Sequence, residues 1–160
     1  MSIFDDSICE CCVCPMKCVL DQLKDETVSI ITTTDEIENS EIIEVKNFIL
    51  TIFNNDEQEN EYLPVCNVSA VTFSSSKQVN LKPSRKSKKG ECSCCEDPTN
   101  DFLNSRSKTE LLRIRYLDGV NTGSIADLGE GIVILQDPSE PLLHAISICN
   151  INNISPGSPD

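Results

Sequence analysis

The first regular pattern along the chain is helical. Met16, Val19, Leu20 and Leu23 are apolar at i, i+3, i+4 and i+7, which places them on one face, and Pro15 suits a first helical turn, where its missing N–H would have had no partner. This spacing predicts a short helix over 15–24. The period then changes. β-Branched and aromatic residues dominate 28–34, 41–45, 48–53, 61–65 and 68–73, separated by polar turn residues, and predict five strands. A second set of five is predicted over 111–117, 124–128, 132–136, 144–148 and 151–154, with Asp118-Gly119 as a hairpin signal. Only Phe102 and Leu103 survive of a helical stripe before the second set, so a helix is predicted before the first set alone.

The two sets are copies of one another. An ungapped shift of 83 positions places Cys9, Cys11 and Cys12 on Cys92, Cys94 and Cys95, Pro15 on Pro98, Leu20 on Leu103, Ile42 on Ile125, Ile49 on Ile132 and Cys66-Asn67 on Cys149-Asn150. Val45, Leu50, Ile52, Val65, Val68 and Val71 all meet aliphatic partners. An unbroken register that keeps cysteines and a proline points to duplication rather than to two β-rich halves aligned by chance. The fold expected is all-β: two tandem five-stranded small barrels of the Sm-like or SH3-like kind, each preceded by a Cys-rich arm. The boundaries expected are an arm over 1–18, a first barrel over 19–73, a linker with the second arm over 74–101, a second barrel over 102–155 and a tail over 156–160.

Charge refines this division. The 160 residues hold 26 acidic and 13 basic side chains, a net of −13. Six Lys or Arg fall within 74–91, which has no acid before Glu91, so two acidic bodies are joined by a basic strap. The strap reads first as a solvated linker, with a nucleic-acid or partner patch as the alternative, and the absence of aromatic residues for bases to stack on gives single-stranded nucleic-acid binding little support. At 39% hydrophobic the chain can pack a core, yet no stretch approaches the roughly 18 apolar residues of a membrane span. The acidic start Met1-Ser2-Ile3-Phe4-Asp5-Asp6 lacks the basic and apolar regions of a secretory signal, so export by that route is not expected.

Three stretches carry a family resemblance: Leu20 to Thr32 with Val28, Ile30 and Thr32; Ile42, Val45, Phe48, Ile49 and Leu50; and Leu63-Pro64-Val65 with Val68. The second copy supplies Gly123, Ile125, Leu128, Ile132, Val133 and Ile148. With the arm Cys9-Glu10-Cys11-Cys12-Val13-Cys14-Pro15-Met16, they resemble the Lsm-like, Cys-rich spore-coat and exosporium-type proteins of endospore-forming bacteria. One departure concerns the bend of the second strand. The glycine expected there is Gly123 in the second copy but Ser40 in the first, so curvature in the first copy must come from elsewhere. The resemblance implies a structural protein of the spore surface, made without a signal peptide in the mother-cell cytoplasm and oxidised after assembly or release. Its partners would be further copies of itself and other Cys-rich spore-surface proteins, with neither nucleic acid nor membrane.

The ten cysteines fall into two groups. Cys9, Cys11, Cys12, Cys14 and Cys18 with Cys92, Cys94 and Cys95 occupy the arms, where adjacent thiols cannot comfortably bond each other and so reach for different partners. Repeated arms of this kind make a multivalent crosslinker between molecules, a coat, exosporium or appendage subunit locked by disulfides. Thiolate zinc is the alternative, with Cys9, Cys12, Cys14 and Cys18 as ligands of an interaction module. The second arm has aspartates where the first has Cys14 and Cys18, so that site could not be duplicated without borrowed ligands. Inert thiols are a third reading. Cys66 and Cys149, at matched places in the bodies, are either acceptors for a neighbour's arm or small core residues.

Catalysis is not expected. The single histidine, His144, lies five residues before Cys149, an odd separation that puts the pair on opposite faces of a strand, and Glu61 replaces it in the first copy. No cofactor is expected apart from zinc in the alternative reading.

Overall fold

The computed structural model of the chain describes residues 13–81, 97–117 and 119–158. The first half runs α1 (Val13–Gln22), β1 (Thr27–Thr32), β2 (Glu36–Lys46), β3 (Ile49–Asn54), β4 (Glu59–Pro64), a 3-10 turn (Val65–Asn67) and β5 (Val68–Ser74). The second half repeats this order as α2 (Asp97–Asn104), β6 (Leu112–Tyr116), β7 (Gly119–Gly129), β8 (Ile132–Gln136), β9 (Leu142–Ser147), a 3-10 turn (Ile148–Asn150) and β10 (Ile151–Pro156). The stripe Met16, Val19, Leu20 and Leu23 is fully buried, which is why α1 forms where the periodicity placed it. A helix also precedes the second set, contrary to expectation. Its stripe is so short that only Leu103 is buried, while Phe102 stays exposed beneath the Arg106 guanidinium, 4.9 Å from the ring centre.

The strands form one continuous antiparallel sheet of ten, in the order β10-β6-β7-β8-β9-β5-β1-β2-β3-β4, and the sheet does not close. Within the first half β4 and β5 are not neighbours, because β5 pairs outward with β9 from Ala70↔Ile146 to Ser74↔Leu142. The all-β expectation holds, and the two halves meet through this seam in one open sheet. The repeat survives in detail: β2 slips register between Ile42 and Glu44, and β7 slips between Ile125 and Asp127. Bulges at matched places bend these long strands in the same sense.

The missing glycine has a structural answer. In β7 a side chain at Gly123 would drive its Cβ into the backbone carbonyl of Gln136, so close approach of β8 excludes anything larger. In β2, Ser40 is buried in that place, and the preceding Asn39 takes a left-handed conformation with φ 52. Asparagine tolerates that region better than most side chains, and it turns the strand where copy two relies on glycine.

Two hydrophobic cores lie along the sheet, and each borrows across the seam. The first gathers α1 and β1 to β5 but includes Ile132, Ile134 and Ala145 from the second half. The second core, around Leu103, Leu112, Ile114 and Tyr116, includes Ile31 and Ala70 from the first. The start of the basic strap also belongs to the folded body. Val79 is buried in the first core, the Asn80 N–H donates to Gln22 Oε1 at 2.8 Å, and Gln22 Nε2 donates to the Asn80 carbonyl at 2.9 Å. Lys77 lies 3.8 Å from Glu26. Residues 77–80 of the strap thus pack against the first half. Lys82 to Lys89, which carry most of its charge, lie outside the described residues.

Shared cores make cooperativity a testable consequence. Ile134→Ala, which empties space in the first core from the second half, is expected to cost about 2–5 kcal/mol. Both halves should melt in one transition, reported identically by far-ultraviolet circular dichroism and by tyrosine fluorescence during urea unfolding. Two separated transitions would show that the halves fold independently.

Candidate functional site at the seam and the open edges

The arm residues Cys9, Cys11, Cys12, Cys92, Cys94 and Cys95, and the side chain of Cys14, lie outside the described residues. Cys18 is a free, partly buried thiol on α1, where Gln22 Nε2 donates to its carbonyl at 3.1 Å and approaches its sulfur at 3.6 Å. The two body cysteines occupy the 3-10 turns that follow β4 and β9, and both are exposed, so neither is a core residue. The turns explain this: Val65 and Ile148 point into the sheet, which turns the next residue outward. Cys66 is a free thiol. Cys149 is disulfide-bonded. Of the alternative zinc set only Cys18 is described in full, and no group of three or more potential metal ligands is present among the described residues.

The most organised polar cluster sits on the seam itself. Thr72 of β5 and His144 of β9 are cross-strand partners in the ladder. Thr72 Oγ1 lies 2.8 Å from His144 Nδ1, Asn121 Nδ2 lies 3.3 Å from the same nitrogen, and His144 Nε2 lies 3.0 Å from Asp137 Oδ2. The Tyr116 hydroxyl donates to Asn121 Oδ1, which turns the Asn121 amide group toward the imidazole. Read as one network, Nδ1 accepts from Asn121 Nδ2 and Thr72 Oγ1, and Nε2–H donates to the Asp137 carboxylate. At 5% exposure His144 has its ring nitrogens satisfied by residues from both halves. Burial opposes the charge on Asp137, but hydrogen bonds from the Ser139 N–H, the His144 ring, the Glu140 N–H and the Ser139 hydroxyl outweigh it and hold the carboxyl below its ordinary range. Burial, reinforced by the nearby Glu36 charge, pushes the Tyr116 hydroxyl far above its ordinary value and keeps it a donor.

A cavity of about 630 Å³ opens beside this network, bordered by Asp35 and Glu36 from the first half and by Asp137 and Glu140 from the second. Carboxylate, imidazole and hydroxyl stand in the order of a nucleophilic relay. Yet the nitrogen facing Thr72 is shared with Asn121, and Thr72 is held mid-strand between β1 and β9. The arrangement satisfies buried polar groups across the seam and acts as a lock there. His144 and Cys149 are not brought together: the ring bonds elsewhere and the sulfur is oxidised.

Sequence reasoning singled out His144 but missed Thr72, Asn121, Tyr116 and Asp137. Asp137-Pro138-Ser139 was readable as a turn, with the carboxylate accepting from the Ser139 and Glu140 N–H groups at 3.0 Å each. That this turn would meet β5 was not readable, because it depends on which strand lies beside β9.

The sheet ends at β10 on one side and β4 on the other. These are the repeat counterparts of β5 and β9, the two strands joined at the seam. Burial records the difference: most of β9 and β5 is buried, whereas β4 and β10 have no buried residue. Tyr62 on β4 is 65% exposed, while its counterpart Ala145 on β9 is wholly buried. No family model, curated protein or solved structure matches the chain.

The acid response of the seam follows from Asp137. With the folded value depressed below the ordinary 3.8, its charge contributes stability that is present above that pH and is lost as pH falls through the lower folded value. Asp137→Asn should therefore be less stable than the wild type at neutral pH. The gap should narrow below pH about 4, measured as melting temperature against pH. A gap that stays constant down to acid denaturation would remove Asp137 from the lock.

Proposed function

We propose that this chain is a structural subunit that assembles with itself and is then locked by disulfides from its Cys-rich arms. The observation that carries the reading is the open sheet. One seam inside the molecule already joins two halves edge to edge, and the same two kinds of edge are left unpaired at its ends. Unpaired edges on a soluble protein invite pairing with another chain. A joint between different edges is head to tail, which builds a ring if the rotation closes and a filament if it does not. In this reading each half is a small Sm-like barrel, and the Lsm-like Cys-rich resemblance is what supports a spore-surface location, with other Cys-rich surface proteins as further partners.

The thiols supply the lock. Cys66 is free and exposed beside the open edge β4, positioned to accept an arm cysteine of a neighbour. Each bond joins two thiols and releases two protons and two electrons to an oxidant such as dioxygen. Many such links per subunit would stabilise an assembly whose single subunits have modest cores. No catalysis is assigned, since the one histidine is engaged in the seam.

Electrophoresis of the full chain after air oxidation tests this reading. A ladder of covalent oligomers is expected without reductant, collapsing to one band with it, and Cys66→Ser should shorten the ladder without unfolding the protein. A monomer under both conditions that carries stoichiometric zinc would overturn crosslinking in favour of a thiolate zinc module.

A further inference from the structure

We infer that the outer face of β6 and β7 in one molecule docks on the outer face of β2, β3 and β4 in a second copy, with Arg113 and Arg115 reaching Glu41 and Glu44. The inference rests on the self-assembly proposed above and adds to it a contact between sheet faces, which needs neither an open edge nor a thiol.

Alternation along the strands defines the two faces. On β6, Leu112, Ile114 and Tyr116 point into the second core, so Arg113 and Arg115 point to solvent. Cross-strand pairing sets Arg113 beside Thr122 and Arg115 beside Val120, which is 47% exposed. On β3, Leu50 and Ile52 point into the first core, so Thr51 and Phe53 face outward. Each of these two centres a row across three strands: Glu44, Thr51 and Tyr62 in one, Glu41, Phe53 and Asn60 in the other. Tyr62 projects from the first row at 65% exposure.

Three observations make a second copy the occupant. The first is charge. Residues 13–81 hold twelve acidic and four basic side chains, and Lys46 is the one base on β2, β3 and β4. Arg113 and Arg115 are like charges on one face of β6, and neither β6 nor β10 carries an acid. Among the described residues no ion pair engages either arginine, Glu41 or Glu44. Like charges side by side are destabilising until an opposite charge meets them. The second observation is spacing. The two glutamate rows are successive outward positions on β3, two residues apart, as Arg113 and Arg115 are on β6. Two guanidiniums can therefore meet two carboxylates at once, each presenting the paired N–H donors that fit a carboxylate. The third is apolar surface. Of the large hydrophobics exposed among the described residues, Ile49 and Tyr62 lie on the glutamate face, while Leu117 and Val120 lie at the β6–β7 turn beside the arginines. Guanidinium planes also stack on aromatic rings, and Phe53 and Tyr62 stand in the same rows as the carboxylates.

Charge reversal in the full chain tests the contact by sedimentation equilibrium in reducing buffer, where arm disulfides cannot form. Wild-type association should weaken at least about tenfold between roughly 50 and 500 mM sodium chloride. Arg113→Glu with Arg115→Glu, and separately Glu41→Arg with Glu44→Arg, should each weaken it at least about tenfold at low salt, with the wild-type circular dichroism spectrum retained. Mixing the two variants should restore association, because each then offers the other an opposite charge. Glu57→Arg with Glu59→Arg, outside both rows, should leave it unchanged. Association that is insensitive to salt, or that persists through both reversals, would overturn the docking while leaving self-assembly intact. Equal weakening by the Glu57 and Glu59 control would overturn it too, by showing a general charge effect. A wild type that is monomeric in reducing buffer but forms a disulfide ladder on oxidation would overturn the docking alone, and a monomer in both would overturn the docking and the self-assembly together.

Discussion

The antiparallel pairing of β5 with β9 is the contact on which the rest of the molecule depends. It makes one sheet from ten strands and brings Ile134 and Ala145 into the first core and Ile31 and Ala70 into the second. It also buries residues that would otherwise be edge surface. Backbone hydrogen bonds fix the direction and register of such a joint, and the apolar residues exchanged across it supply most of the stabilisation. Neither core is complete within its own half.

A buried ladder between two halves leaves polar side chains that must be satisfied locally, and the cluster around His144 meets that need. Thr72 comes from one half, while Asn121, Asp137 and Tyr116 come from the other. Such a network adds specificity to a joint whose apolar contacts tolerate a slip. A register shift of one residue would turn Thr72 away from the imidazole.

Much of the fold was legible in the chain. The four-residue stripe from Met16 to Leu23 gave α1, the β-branched runs gave the strands, and the repeat carried the bulges and the 3-10 turns to matched places. Other features resisted sequence reading for identifiable reasons. The short stripe before β6 concealed α2, because a helix that buries little beyond Leu103 leaves little periodicity. Charge placed the linker's start at residue 74, but Val79 is buried in the first core and Asn80 is tied to Gln22 of α1 by paired hydrogen bonds that composition does not report. Aliphatic neighbours left Cys66 and Cys149 open between core residues and acceptors for an arm, and only the turns show that they face outward.

The sequence by itself determined much of the local content of this protein: the first helix, two sets of five strands, and the segregation of most cysteines into arms. Each of these depends on residues near one another along the chain, through periodicity, backbone preference or spacing. Only the tertiary structure decided how the copies meet. Pairing of β5 with β9 joins residues about 70 positions apart, and the backbone groups that make it are the same in every strand, so no local pattern announces the choice. That choice made one sheet of the two halves, set the lone histidine against Thr72 in a lock, and left β4 and β10 as the open edges.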